Sequence, residues 1–327
     1  MDNIKILITG AGGSIGSGLV KKLIEHGYEN LVLLDHSEYL LFSIIHELNY
    51  KYKYYLADIR DKERLHMIIE KEKPDIIFHT AALKHVPLLE ENPEEAIKTN
   101  IIGTWNLVDI SHSYQIKKFI FISSDKAIKP TSIMGASKRI GEMICQYYKK
   151  ISNSIFVSVR FGNVLGSSGS VIPIFKEQIE KGGPVTVTDP NMRRFFMSIE
   201  QACELLIKTM EIAKWDDDVF FLNMGEAINI YELAKYIILS YGKMPGKDIE
   251  IIFTGLRPGE KLYEEIYDED ESIKSTSIQG IQKVILNGIP ENFLELLTNL
   301  IDSKEKEKIY YYLKQLIPDF QSTTIIK

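Results

Sequence analysis

The sequence predicts an α/β protein: a doubly wound parallel sheet followed by a smaller mixed C-terminal lobe. Two observations predict it. Short apolar runs without polar alternation recur through the first half, with amphipathic stretches of helical period between them. Strands buried on both faces and linked by helices have this pattern. A glycine-rich turn also follows the first apolar run directly, at the sheet edge where such folds bind ligands.

The elements follow in order. Residues 4–9 are a β-rich run, then comes the glycine turn, then a helix to about residue 26. Further strands are expected at 31–34, 54–57, 75–80 and 118–123, with helices at 37–48, 61–72 and 93–113. A helix over 132–150 and a strand over 155–160 extend the series. The whole is a Rossmann-type pattern. Beyond residue 162 the pattern changes to a Gly/Ser-rich loop, a short helix near 172–181, a strand at 185–187 and a basic stretch at 192–196. Helices are expected at 199–213, 230–242, 291–302 and 304–316. This divides the chain into a Rossmann-type domain, 1–165, and a smaller mixed lobe, 166–327. The boundary is soft, because residues 219–223 read as a strand returning to the sheet.

Composition narrows the class. The 327 residues are 45% apolar and 26% charged, with a formal charge of −6. An acidic balance and a pI near 5.8 argue against nucleic-acid binding. No apolar run approaches the roughly 18 residues of a membrane span. The chain enters its first strand almost at once, which leaves no room for a signal peptide. A cytoplasmic protein with no membrane partner is expected. Cys145 and Cys203 lie in apolar helical patterns and read as reduced, buried side chains. No Cys/His spacing suggests a metal.

Gly10, Gly13 and Gly16 follow the first strand and open a helix that begins Ser14-Ile15. Glycines here allow a tight turn and close approach to a pyrophosphate at the helix N-terminus. Asp35 ends the second strand, 19 residues after Gly16, where a carboxylate can bind a ribose diol. Asp58 and Ile59 end the third strand, where an adenine edge would lie. A bound NAD or NADP follows. Asp35 favours NAD because a carboxylate repels a 2′-phosphate, whereas His36 and Ser37 beside it could compensate.

After the fourth strand, the small Ala81 and Ala82 let backbone pass close to a cofactor. Lys84 and His85 extend over the cleft, either solvated or contacting substrate hydroxyls, an N-acyl group or phosphate. Ser123 and Ser124 end the fifth strand, followed by Asp125 and Lys126. Lys138 lies one helical turn after Met134 and shares its face. A lysine there can hydrogen-bond the nicotinamide ribose. Methionine at 134 cannot deprotonate an alcohol, as the tyrosine of many nicotinamide enzymes does.

Thr-Gly-x-x-Gly-x-x-Gly at 9–16 and Ser-Ser…Met-x-x-x-Lys resemble the extended short-chain dehydrogenase/reductases. The strings Leu-Asp-His-Ser-Glu-Tyr (34–39), Ala-Ala-Leu-Lys-His-Val-Pro (81–87), Ser-Asp-Lys-Ala (124–127), Met-Gly-Ala-Ser-Lys-Arg (134–139), Arg-Phe-Gly-Asn-Val-Leu-Gly-Ser-Ser-Gly-Ser-Val (160–171) and Leu-Arg-Pro-Gly-Glu-Lys-Leu (256–262) narrow the resemblance. They resemble the UDP-N-acetylglucosamine 4,6-dehydratases of bacterial capsule, flagellin and glycoprotein sugar synthesis, over residues 1 to about 270. Several members of that group carry an amino-terminal membrane region; this chain looks like a soluble form.

The resemblance implies an internal redox cycle. Hydride leaves sugar C4 for a tightly bound, recycled NAD(P), C5–H is removed as the C6 hydroxyl departs, and the hydride returns to C6. The product is a 4-keto-6-deoxy-N-acetylhexosamine nucleotide, with C5 retained or inverted. Asp125 matches the acid at C6–OH and Lys126 the base at C5. Burial and nearby Lys138 and Lys84 are expected to lower the Lys126 pKa. Asp125 acting twice, Ser124, or a water polarised by Lys138 would take the C4–OH proton. Asn163, Ser170 and Val171 match the sugar-diphosphate loop, and Arg194 and Arg257 match nucleotide- or diphosphate-binding arginines. Glu260 matches a nucleotide-ribose ligand. The substrate is UDP-N-acetylglucosamine or a GDP-linked relative, and relatives suggest a homo-oligomer. The competing readings are a nucleotide-sugar 4-epimerase and a non-catalytic NAD(P)-binding sensor.

Overall fold

The computed structural model describes residues 4–167 and 169–322. The first half alternates β1 (Ile6–Thr9), α1 (Ser14–Glu25), β2 (Leu31–Asp35), α2 (Glu38–Glu47), β3 (Lys53–Leu56), α3 (Lys62–Glu72) and β4 (Ile76–His79). Strands β5 (Lys118–Ile122) and β6 (Ile155–Arg160) follow, separated by the long helix Ile133–Ile151. These strands are parallel and lie in the order β6-β5-β4-β1-β2-β3. The Rossmann-type expectation is met. Strand order reverses between β1 and β4, so a crevice opens beyond their carboxyl ends.

Val219–Leu222 pairs parallel with β6, Ile281–Ile285 pairs antiparallel with Val219–Leu222, and Ser272–Ser275 pairs antiparallel with Ile281–Ile285, completing nine strands. Adjacent strand residues point to opposite faces and both faces are buried. Leu7 belongs to one core cluster, while its neighbours Ile6 and Ile8 belong to the other. The first cluster is roofed by the long helix and by helices Phe293–Asp302 and Lys306–Leu316. The second is roofed by α1, α2 and helix Ile199–Ile212. A third, smaller core joins helices Val171–Glu180 and Ile230–Ser240 to the parallel pair Val185–Val187 and Ile251–Phe253.

The continuous helix expected over 93–113 contains a π-helical stretch, Ile97–Ile102, between α-helical Pro93–Ala96 and Gly103–Ser113. Asn100 sits in that stretch. Its side chain accepts from Leu83 N–H at 2.8 Å and donates to Leu83 C=O at 2.9 Å and Ser137 Oγ at 2.9 Å. A helix irregularity thus fixes the loop after β4, as such bulges often do near sites.

Arg160 ends β6 fully buried. Its guanidinium donates to Glu142 on the long helix at 2.7 and 2.8 Å and to Glu271 at 2.8 and 2.9 Å. Ser123, after β5, donates to Glu142 at 2.7 Å, and Arg139 also pairs with Glu142 at 2.9 Å. Burial opposes the Glu142 charge, but Arg160 overrides it and holds the pKa at about 2. The contribution to stability is complete above the ordinary glutamate value near 4.5 and is lost as pH falls through about 2. We expect Glu142→Ala to cost about 3–5 kcal/mol in urea unfolding, because it strands a buried guanidinium. Replacing both Glu142 and Arg160 by apolar residues should cost less than the single change.

Candidate active site

The turn after β1 has its shape because Gly10 has φ +66° and a Cβ there would stand 2.7 Å from Ala81 Cα. A Cβ on Gly16 would lie 2.0 Å from the Gly10 carbonyl oxygen. Bare backbone therefore meets bare backbone where β1, α1 and the loop after β4 converge. Gly13 precedes α1 with no side-chain cap. Asp35 is buried, accepting from Gly12 N–H and Ser37 N–H, each at 2.9 Å, with His36 Nδ1 3.5 Å away. The Ser37 hydroxyl caps α2.

A cavity of about 320 Å³ lies there, bounded by Gly10, Gly13, Asp35, His36, Asp58, Ile59, Ala81 and Ala82. Ser14, Ile15, Gly16 and Ser37 shape its walls from behind and do not line it. Arg60, Thr80 and Thr99, absent from the sequence reading, do. Burial opposes the Asp58 charge, yet Arg60, bonded at 2.6 and 2.9 Å, holds its pKa below the usual value. The narrow backbone cradle and the acid at the end of β2 suit a dinucleotide.

The chemical end begins where β5 runs out. Asp125–Ala127 form a single 3-10 turn after Ser124. Asp125 Oδ1 accepts from Ser124 Oγ at 2.9 Å and Lys126 Nζ at 3.0 Å. Its Oδ2 is buried with no hydrogen-bond partner among the described residues. Lys126 Nζ also meets Asn163 Oδ1 at 3.3 Å and Glu264 Oε1 at 3.5 Å. The expected fall in the Lys126 pKa is not found. Burial does push it down, but the Asp125 and Glu264 carboxylates outweigh burial and the Arg194 charge, and the pKa is raised.

Met134 packs into the core under the sheet and lines neither cavity. Lys138 Nζ donates to Ile122 C=O at 2.8 Å and stands 4.8 Å over the Phe121 ring. Burial lowers its pKa to about 7 despite the opposing Glu142 charge. His79 bridges Thr9 Oγ1 at 2.8 Å and Thr104 Oγ1 at 3.0 Å. Burial, then the Lys138 charge, lower its pKa to about 3, so it is a neutral structural link.

A larger cleft, about 830 Å³, opens between the sheet edge and the small lobe. Lys84, His85, Lys126, Asn163, Ser170, Val171, Arg194, Arg257 and Glu260 all line it, whereas Asp125 and Ser124 lie behind Lys126. Lys84 reaches Ser167 at 3.3 Å, and burial lowers its pKa; burial and then Lys84 lower that of His85. Ser168 of the expected sugar loop lies outside the described residues. Arg194 is buried and donates to the carbonyls of Arg193, Lys261 and Leu262 at 2.7–3.1 Å. Arg257 is exposed and paired with Glu260 at 3.0 Å.

Sequence reasoning missed Asn100 and Glu264. Asn100 follows Lys98 and Thr99 in a polar triplet, and residue type alone does not mark it as buried. Glu264 stands just beyond the Leu-Arg-Pro-Gly-Glu-Lys-Leu string, in an acidic run that reads as solvated surface.

The sequence profile described as "Polysaccharide biosynthesis protein" matches residues 6–286. The chain belongs to that family. It is 47% identical over 272 residues to the probable polysaccharide biosynthesis protein EpsC of Bacillus subtilis, covering 81% of this chain and 45% of EpsC. It is 42% identical over 321 residues to the capsular polysaccharide biosynthesis protein CapD of Staphylococcus aureus, covering 94% of this chain and 53% of CapD. The chain thus spans about half the length of these two relatives. Among solved structures, Pen from Bacillus thuringiensis is similar, with TM-score 0.77 and 38% identity over 83% of this chain and 85% of that one. Among the described residues of this family member, no helix is long and apolar enough to cross a membrane.

The Lys138 amine should titrate with a midpoint near 7 by NMR of carbon-labelled lysine. Glu142→Gln should move that midpoint lower, because it removes the one carboxylate that supports the ammonium form.

Proposed function

We propose that the chain is a nucleotide-sugar 4,6-dehydratase acting on UDP-N-acetylglucosamine with a bound NAD(P). The observation that carries this reading is the Asp125–Lys126 pair: an acid and an amine 3.0 Å apart, at the carboxyl end of a parallel strand, between a dinucleotide cradle and an 830 Å³ cleft. Simple oxidation of an alcohol, or epimerisation, has no use for such a pair. Family membership and the likeness to EpsC and CapD support a part in polysaccharide synthesis.

In this reading the Gly10–Gly16 turn, Ala81, Ala82 and Asp35 hold the dinucleotide, and Asp35 favours NAD. A nicotinamide held there would supply the hydride acceptor for C4 and the hydride donor for C6. Everything else falls to side chains. The C4–OH proton passes through Ser124 Oγ to Asp125 Oδ1, along a hydrogen bond of 2.9 Å. Asp125 then carries the proton that the departing C6 hydroxyl requires, and water leaves. Lys126, as free amine, takes the C5 proton and gives it back once C6 is reduced. The sugar loses H₂O and no other atom. Arg194, Arg257, Asn163, Ser170 and Glu260 hold the nucleotide and diphosphate, and Lys84 and His85 face the sugar.

Incubation with UDP-N-acetylglucosamine, read by mass spectrometry, tests the reading. A product lighter by one water is expected; an isomer of unchanged mass would indicate a 4-epimerase, and no conversion a sensor. Lys126→Ala should bind UDP almost normally while losing about 10²–10⁴-fold in C5–H exchange with deuterated solvent.

A further inference from the structure

Glu264 belongs to no strand or helix, yet it reaches the centre of the cleft. Its side chain is 3% exposed. Oε1 lies 3.5 Å from Lys126 Nζ and 3.7 Å from Arg194 Nε. Oε2 is buried and has no hydrogen-bond partner among the described residues, and the residue lines the cleft. A buried carboxylate oxygen without a donor is costly, so the site is unfinished until a ligand supplies one.

The surroundings of Lys126 complete the picture. An ammonium has three donors and no acceptor. Three oxygens face Nζ: Asp125 Oδ1 at 3.0 Å, Asn163 Oδ1 at 3.3 Å and Glu264 Oε1 at 3.5 Å. The charged groups facing it are Asp125 from the 3-10 turn, Glu264 from the 260–265 segment and Arg194 from strand Arg193–Arg194. Lys84 and His85 line the same cleft, and Lys261 is turned away onto Ile128 C=O at 2.8 Å. The pocket is therefore built for a protonated lysine, whereas removal of a carbon-bound proton requires a free amine.

We propose that Glu264 is a positioning residue for Lys126: it holds the amine as an ammonium ion, and loosens that hold when a hydrogen-bond donor of the bound sugar engages its free oxygen. A donor on Oε2 draws charge away from Oε1 and weakens the attraction across 3.5 Å. Lys126 then gives its proton to solvent and becomes a base only with a sugar in place. Glu264 is thereby also a specificity element, since a nucleotide without a sugar leaves Oε2 empty. This proposal rests on Lys126 being the C5 base.

The test reads the charge of Lys126 directly, without turnover. In protein with carbon-labelled lysine, the Lys126 signal is assigned by its loss in Lys126→Arg and titrated by NMR. In Glu264→Gln the midpoint should fall by about one pH unit or more, as expected for removal of an opposite charge at this range. Glu264→Asp, which keeps the charge, should restore most of the wild-type midpoint, and thermal melts of both variants identify any loss of fold. In the wild type, UDP-N-acetylglucosamine should lower the midpoint and UDP should not; in Glu264→Gln neither should. An unchanged midpoint in a folded Glu264→Gln variant overturns the proposal, as does an equal response to UDP. Failure of the wild type to dehydrate the sugar would remove the assigned reaction and leave this titration as the judge of Glu264.

Discussion

The buried guanidinium of Arg160 is the constraint on which the geometry of the site depends. It stands at the end of β6 and holds two carboxylates, one on the long helix and one, Glu271, on the C-terminal segment. Ser123 joins the same Glu142 from the residue just after β5. Glu271 also accepts from Asp268 N–H at 3.0 Å, and Asp268 pairs with Lys129 at 3.0 Å. The loop carrying Asp125 and Lys126 is thus pinned at both ends by one ionic network. Two arginines and two glutamates balance in charge around Glu142. Such a cluster adds little net stability over an apolar core, but it tolerates only one arrangement. Precision of the acid–amine pair is what that arrangement provides.

Much of this was legible in the sequence, because it is local. The turn after β1 needs glycine where φ is +66° and where backbone meets Ala81, and residue type alone reveals such positions. Asp125 and Lys126 are adjacent, so their pairing at 3.0 Å follows from the turn that holds them. The alternation of buried runs and helices marks a parallel sheet covered on both faces.

The remainder was not legible because it joins residues distant in sequence. Glu264 lies 138 positions from Lys126 and approaches it only because the small lobe folds across the sheet edge. That contact adds to the Asp125 carboxylate, and together they reverse the expected charge behaviour of the lysine: the second carboxylate was hidden in an acidic run. Asn100 is similar. Its amide closes two backbone bonds of Leu83, a residue on another element, and the helix gives up regular geometry around it.

Met134 shows how the two kinds of information combine. Read alone, a methionine in place of an ionisable residue removes a base and leaves the C4 hydroxyl proton without a destination. The structure places that side chain in the core. It also places the Ser124 hydroxyl on Asp125. In the proposed cycle, a tyrosine base would keep the C4 proton and Asp125 would need another from solvent. With methionine, the proton released at C4 is the one Asp125 needs at C6. The absence of a separate base then couples oxidation to dehydration, since the acid is armed only after the alcohol has been oxidised.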